Sequence, residues 1–193
     1  LYLNGFAGER LAGEAALTAV LERDLSAAAG APVRASLAAP SARGRALADL
    51  EGTSIDGQEL DIDDYGPPKA DYLGLAGEAA VEEALVSDLL KSNCPVTGQP
   101  DWGSLRIAYR GRPLDRAGLL RYLVSFREHS EFHEQCVERI YVDVMRRCAP
   151  ERLSVYARYT RRGGLDINPF RSSEPADPGN PRGFTQIVED LRE

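Results

Sequence analysis

The sequence predicts an α+β protein organised as two modules. Three observations point there. Segments with apolar residues at helical spacing are interspersed with segments that alternate apolar and polar residues. Pro67-Pro68 and the polar stretch running to Gly77 interrupt both patterns, which sets the expected boundary as 1–75 and 76–193. A short pattern also recurs: Tyr2-Leu3-x-x-Phe6 followed by Asp24, and Tyr122-Leu123-x-x-Phe126 followed by Asp143.

Taken in order, Glu14 to Ala29 carries Leu17, Val20, Leu21 and Leu25 on one helical stripe and is expected as a helix. Val33 to Ala39 is expected as a strand, Pro40 to Leu50 as a surface connection, and Leu60, Ile62 and Tyr65 as a half-exposed strand. Glu78 to Lys91, with Val81, Leu85, Leu89 and Leu90, has the spacing of a second helix. The prolines and glycine of residues 92–102 exclude a regular helix or central strand there. Leu105, Ile107 and Tyr109 alternate as a strand. Asp115 is placed to cap a helix bearing Leu119, Leu120, Leu123, Val124 and Phe126. Ser130 is expected to cap the next helix, whose stripe is Phe132, Cys136, Val137, Ile140, Tyr141 and Val144. Leu153 to Tyr159 reads as a strand, and Leu165 to Ile167 as a short extended piece.

The 193 residues are 43% hydrophobic and 27% charged, the balance of a folded globular chain. A net charge of −7 opposes general affinity for nucleic acid, and no apolar run approaches the ~20 residues that span a bilayer. Neither nucleic acid nor membrane is an expected partner. Cys94, Cys136 and Cys148 lack the even count and spacing of a disulfide framework, which fits a reducing cytoplasm. The chain opens at Leu1 rather than Met, so further residues are expected upstream.

Cys94 lies in a Pro- and Gly-bounded loop with Asp101 seven residues on, an arrangement open to a nucleophile beside an acid or to a small buried hydrophobe. Cys136 and Cys148 fall on an apolar stripe and belong to the core. His133 borders that stripe, and Glu134 beside it suits either a ligand contact or the helix dipole. His129, His133 and Cys136 have a spacing open to zinc, although a cap at Ser130 places His129 outside the helix. No Gly-x-Gly-x-x-Gly follows a strand, so a Rossmann dinucleotide site is not indicated. Arg161-Arg162-Gly163-Gly164 can serve as an anion grip or as a solvated turn.

Three blocks in order carry a resemblance. Leu-Lys-Ser-Asn-Cys-Pro-Val-Thr-Gly-Gln-Pro-Asp-Trp at 90–102 closely resembles the catalytic loop of NADPH-dependent 7-cyano-7-deazaguanine reductases. So does Glu-Phe-His-Glu-Gln-Cys-Val-Glu-Arg-Ile at 131–140, and Tyr-Ala-Arg-Tyr-Thr-Arg-Arg-Gly-Gly-Leu-Asp-Ile-Asn-Pro-Phe at 156–170 is similar to the family's third block. Leu1–Phe6 and Thr53–Tyr65 resemble the long, two-module form more loosely.

The resemblance implies tandem tunnelling-fold modules, each an antiparallel sheet with two helices inserted between strand pairs. It implies reduction of a nitrile on a deazaguanine base with two NADPH, in queuosine biosynthesis. Cys94 is then the nucleophile that forms a thioimide and Asp101 the proton donor. His133 and Glu134 hold the substrate, Arg162 and Gly163 contact NADPH, and no metal is required. The family's Glu-Ser-Lys-Ser-type motif is expected just before Leu1, with only its tail resembling Leu1-Tyr2. Chains are expected to pair as homodimers. The rival expectations are a zinc-dependent cyclohydrolase-like enzyme and a non-catalytic purine-binding module.

Overall fold

The computed structural model describes residues 2–37 and 49–175. The chain divides into two compact units, one ending at Leu47 and one beginning at Ala48. Residues 40–48 of the expected connection over 40–50, and the last two residues of the expected strand 33–39, lie outside the described residues.

In the first unit a 3-10 turn, Leu3–Gly8, precedes helix α1, Glu14–Ala29, which ends at Gly30 in the left-handed conformation. Residues 33–37 form no strand; the Val33 and Ala35 amides donate instead to the Ser26 and Glu22 side chains of α1. The Tyr2 ring meets Phe6 edge-on at 5.2 Å, and its hydroxyl donates to Asp24 Oδ2 at 2.9 Å.

The second unit is a five-stranded sheet in the order β1-β2-β3-β4-β5, with helices α2 (Arg116–Val124) and α3 (His133–Cys148) inserted between β3 and β4. The strands are β1 Thr53–Ser54, β2 Val81–Asn93, β3 Pro100–Gly111, β4 Arg152–Tyr159 and β5 Phe170–Ser172. β1 pairs parallel with β2, and every later pair is antiparallel. The expected α+β class with paired antiparallel strands around two helices is therefore what this unit contains. Ile55 and Leu73, upstream of residue 75, are buried in its core.

The expected helix over 78–91 is instead the long strand β2, and a bulge explains the misleading pattern. Its ladder shifts register between Ser87 and Leu90, so the buried positions run Leu85, Ser87, then Leu90, Ser92. One extra residue in the strand turns one spacing of two into three, so Leu85 and Leu90 fall five apart and the alternation is broken. Leu60 to Tyr65 is not a strand but an irregular segment whose Leu60 and Ile62 pack against the core. After Arg162 the ladder forms at Phe170–Ser172 rather than at Leu165–Ile167.

β3 alternates without interruption: Asp101, Gly103, Leu105, Ile107, Tyr109 and Gly111 all face inward. α2 begins where Asp115 accepts from the Ala117 amide at 3.1 Å, as expected. α3 begins after Phe132, not Ser130, because Ser130 lies in a β-bridge with Asn93 whose hydrogen bonds hold the flanking His129 carbonyl and Glu131 amide in an extended segment. The helices bury Leu119, Leu120, Leu123, Phe126, Val137, Ile140 and Val144 against the sheet, each large apolar side chain contributing ~1.5–3 kcal/mol. Cys136 and Cys148 are buried there as expected. Tyr122 meets Phe126 edge-on at 5.2 Å and donates to Asp143 Oδ2 at 2.7 Å, the same arrangement as Tyr2, Phe6 and Asp24. Among the described residues no helix is long and apolar enough to cross a membrane.

Candidate active site

The site forms where the β2–β3 hairpin turns. Ser92 pairs with Asp101 and Asn93 with Pro100, leaving Cys94 to Gln99 as the connecting loop. The Cys94 amide donates to Gln99 O at 2.8 Å and the Gly98 amide to Cys94 O at 2.9 Å, closing the turn. Gly98 has φ +67°, a conformation that costs glycine little. The loop thus presents a partly exposed thiol at the rim of a rigid hairpin.

That thiol is tuned toward its anion. The Thr97 hydroxyl, then the Thr97 and Val96 amides, and finally the Arg162 charge lower its pKa against an opposing effect of desolvation. Cys136 behaves oppositely, with burial pushing it up to about 11. The two cysteines thus differ in environment as well as position, the Cys94 thiol lowered and partly exposed, the Cys136 thiol raised and buried.

Asp101 is buried because it occupies an inward position of β3. The loop leading into α3 is sewn to the end of β2: the Asn93 amide donates to His129 O at 2.8 Å, and the Glu131 amide to Asn93 O at 3.1 Å. This stitching delivers the first residue of α3, His133, to the acid, with its Nε2 3.1 Å from Asp101 Oδ2. The His133 ring lies flat on Tyr159, centroids 4.0 Å apart and 7° from parallel. Gly103 makes room for that stack, since a Cβ there would lie 3.2 Å from the Tyr159 ring. The other oxygen of Asp101, Oδ1, is held by Arg162 Nε and Nη2.

Arg162 opens a tight turn with reciprocal bonds to Leu165, from the Arg162 amide to Leu165 O at 3.0 Å and back at 2.9 Å. Its two central residues, Gly163 and Gly164, have φ of +55° and +84°, the backbone that makes Gly-Gly suitable here. Arg161 is paired with Asp166 instead of the site. Glu134, in the first turn of α3, is half-buried, and among the described residues no hydrogen bond or ion pair engages its carboxylate.

Cys94, Asp101, His133 and Arg162 are therefore brought together by one hairpin, one helix start and one turn. Sequence reasoning missed Thr97, Gln99, Tyr159 and Gly103. Tyr159 and Gly103 are cross-strand partners, visible only once the β3–β4 register is known. Among the described residues no group of three or more His, Cys, Asp or Glu side chains is arranged to hold a metal ion. His129 is engaged by Glu131 at 2.9 Å and His133 by Asp101, which separates the residues of the zinc alternative.

Fold and site together describe an α+β protein that presents a partly exposed thiol of lowered pKa near a buried acid–histidine pair. A protein-family model described as "QueF-like protein" matches residues 100–178. A relative from Bordetella avium named NADPH-dependent 7-cyano-7-deazaguanine reductase is 55% identical over 188 residues, spanning 96% of this chain and 68% of its own length. Relatives of the same name from Stenotrophomonas maltophilia and Xanthomonas campestris pv. campestris are 60% and 55% identical, over 90% and 100% of this chain and 62% and 68% of their own lengths. A solved archaeosine synthase QueF-like chain is similar at 18% identity and a TM-score of 0.43, covering 51% of this chain and 96% of that one. The chain belongs to the family of NADPH-dependent 7-cyano-7-deazaguanine reductases.

Proposed function

We propose that this chain reduces the nitrile of 7-cyano-7-deazaguanine to an aminomethyl group, with Cys94 as nucleophile and Asp101 as acid. The supporting observation is the buried sequence of contacts Arg162–Asp101–His133 behind the Cys94 turn. A buried acid, a helix start and a cation close to one thiol of lowered pKa support this reading.

The Cys94 sulfur adds to the nitrile carbon while Asp101 delivers a proton to the nitrogen, so one C–N π bond becomes a C–S and an N–H bond in a thioimide. NADPH, when bound, supplies hydride, and two equivalents take the nitrile carbon to the amine. After the first reduction Cys94 leaves as thiolate, which its Thr97 and backbone donors stabilise. His133, fixed between Tyr159 and Asp101, keeps the acid in place. Glu134 offers an unengaged carboxylate to the ring N–H and exocyclic amine of a guanine-like edge. The residues at 162–164 fit a dinucleotide: a Cβ at Gly163 or Gly164 would meet nothing within 4 Å, so backbone there is open to close approach, with a guanidinium beside it. Arg162 and Gly163 would hold the cofactor.

On this proposal the chain combines two tunnelling-fold modules, the second of them catalytic, and two chains pair in the cytoplasm. The matching Tyr–Phe–Asp clusters of the two units support a duplicated origin. The test is to mix the full-length protein with the nitrile base and NADPH and follow nicotinamide absorbance. Two equivalents oxidised per amine formed is the expected result, and no base-dependent oxidation would refute the activity.

A further inference from the structure

Arg162 is folded into the site it is proposed to serve. Its Nε and Nη2 close on Asp101 Oδ1, its Nη1 donates to Gln99 Oε1 at 3.0 Å, and its Nη2 reaches Gln99 O at 3.4 Å. That same carbonyl accepts the Cys94 amide. A guanidinium has five N–H donors in one rigid plane, and it grips a phosphate through two of them side by side. With the fork occupied by Asp101 and Gln99, it cannot hold a cofactor phosphate in the same position.

We propose that Gln99 and Asp101 form a latch that keeps Arg162 closed over the Cys94 turn until the cofactor draws it away, with Gln99 the positioning residue that sets cofactor affinity. This rests on the assignment of Arg162 to the cofactor. Gln99 suits the role because it is exposed, touches the guanidinium through both side chain and backbone, and makes no part of the core.

While the latch is closed, Asp101 Oδ1 is held by Arg162 and Oδ2 faces His133. A binding-competent state populated only in part weakens apparent affinity by its fraction, so loosening the latch tightens binding.

The test measures NADP+ binding to the full-length protein by calorimetry, in wild type, Gln99→Ala, Gln99→Met and Arg162→Ala. Both Gln99 variants should bind roughly three- to tenfold tighter, and Arg162→Ala more than tenfold weaker. General structural damage lowers affinity, so a gain separates release of a latch from a disturbed loop. Should Gln99→Ala fail to fold, Gln99→Met gives the same reading with side-chain length retained. Weak binding by Arg162→Ala with equal or weaker binding by the Gln99 variants would overturn the latch and leave the cofactor assignment standing. Wild-type affinity in Arg162→Ala would overturn both.

Discussion

Replacing Tyr159 with Phe should stabilise the protein. Tyr159 is 5% exposed and Ser92 is fully buried, and neither hydroxyl completes a hydrogen bond of good geometry among the described residues. The two hydroxyls and the Cys136 thiol, itself a weak partner, are mutual neighbours without good hydrogen-bond geometry between them. Burial first of all, then Cys136, holds the Tyr159 phenol protonated well above its usual range, so the substitution removes no charge. A buried hydroxyl without a partner costs ~1–3 kcal/mol. Deleting it forfeits a few dispersion contacts of ~0.1–0.2 kcal/mol each. The net gain is about 1 kcal/mol, or roughly 2–4 °C in Tm for a chain of this size. Urea unfolding with an unchanged m value is the assay. The His133 stack needs only the ring, so kcat/KM should stay within about twofold, whereas Tyr159→Leu should forfeit the ~0.5–1.5 kcal/mol of the stack along with activity. Destabilisation of Tyr159→Phe by about 1 kcal/mol or more would mean the hydroxyl has a partner and would refute the reasoning.

Thr97→Val should move the onset of Cys94 alkylation by iodoacetamide to higher pH, because the hydroxyl that contributes most to lowering its pKa is gone; an unmoved profile would show that the amides suffice. Glu134→Gln should weaken binding of the nitrile base by ~1–3 kcal/mol, since an amide NH2 meets a ring N–H where an acceptor is needed; unchanged affinity by calorimetry would remove Glu134 from base reading. Given the nitrile base without NADPH, the full-length protein should gain the mass of one substrate on the Cys94 loop. Cys94→Ala should show neither adduct nor turnover, and an adduct on Cys136 would move the nucleophile.

How far the fold could be read depended on whether burial followed a single period. β3 shows an unbroken inward alternation from Asp101 to Gly111, and α3 a sustained stripe from Cys136 to Val144, and both were legible. β2 was not, although it is the longest strand. Its Glu, Ala and Leu residues favour a helix in isolation, and the bulge at Ser87–Leu90 disguised its alternation. Pairing with β3 along almost its whole length overrides that local preference, as tertiary context does for strands generally. Ser130 misled for a related reason: a good capping residue was drawn into a bridge with Asn93 before the helix could use it.

The site divides along the same line. Residues whose chemistry is unusual for their place, a loop thiol, an acid after proline and a histidine on an apolar stripe, could be singled out from the chain alone. Residues that act only through a neighbour could not. Asp101 reads in sequence as a loop acid, yet it is the first inward position of β3, which is why it is buried and why it needs both His133 and Arg162. Arg162 and Gln99 are 63 positions apart and meet only because the β2–β3 hairpin and the turn after β4 end at the same edge of the sheet. The bulge that hid β2 also keeps Ser92 on the inward face, opposite Asp101. Were the same residues paired in regular alternation with no bulge, every side chain beyond Ser87 would change faces, and Ser92 would no longer share the inward face with Asp101. The feature hardest to read in the sequence is thus one on which the Ser92–Asp101 pairing of the Cys94 hairpin depends.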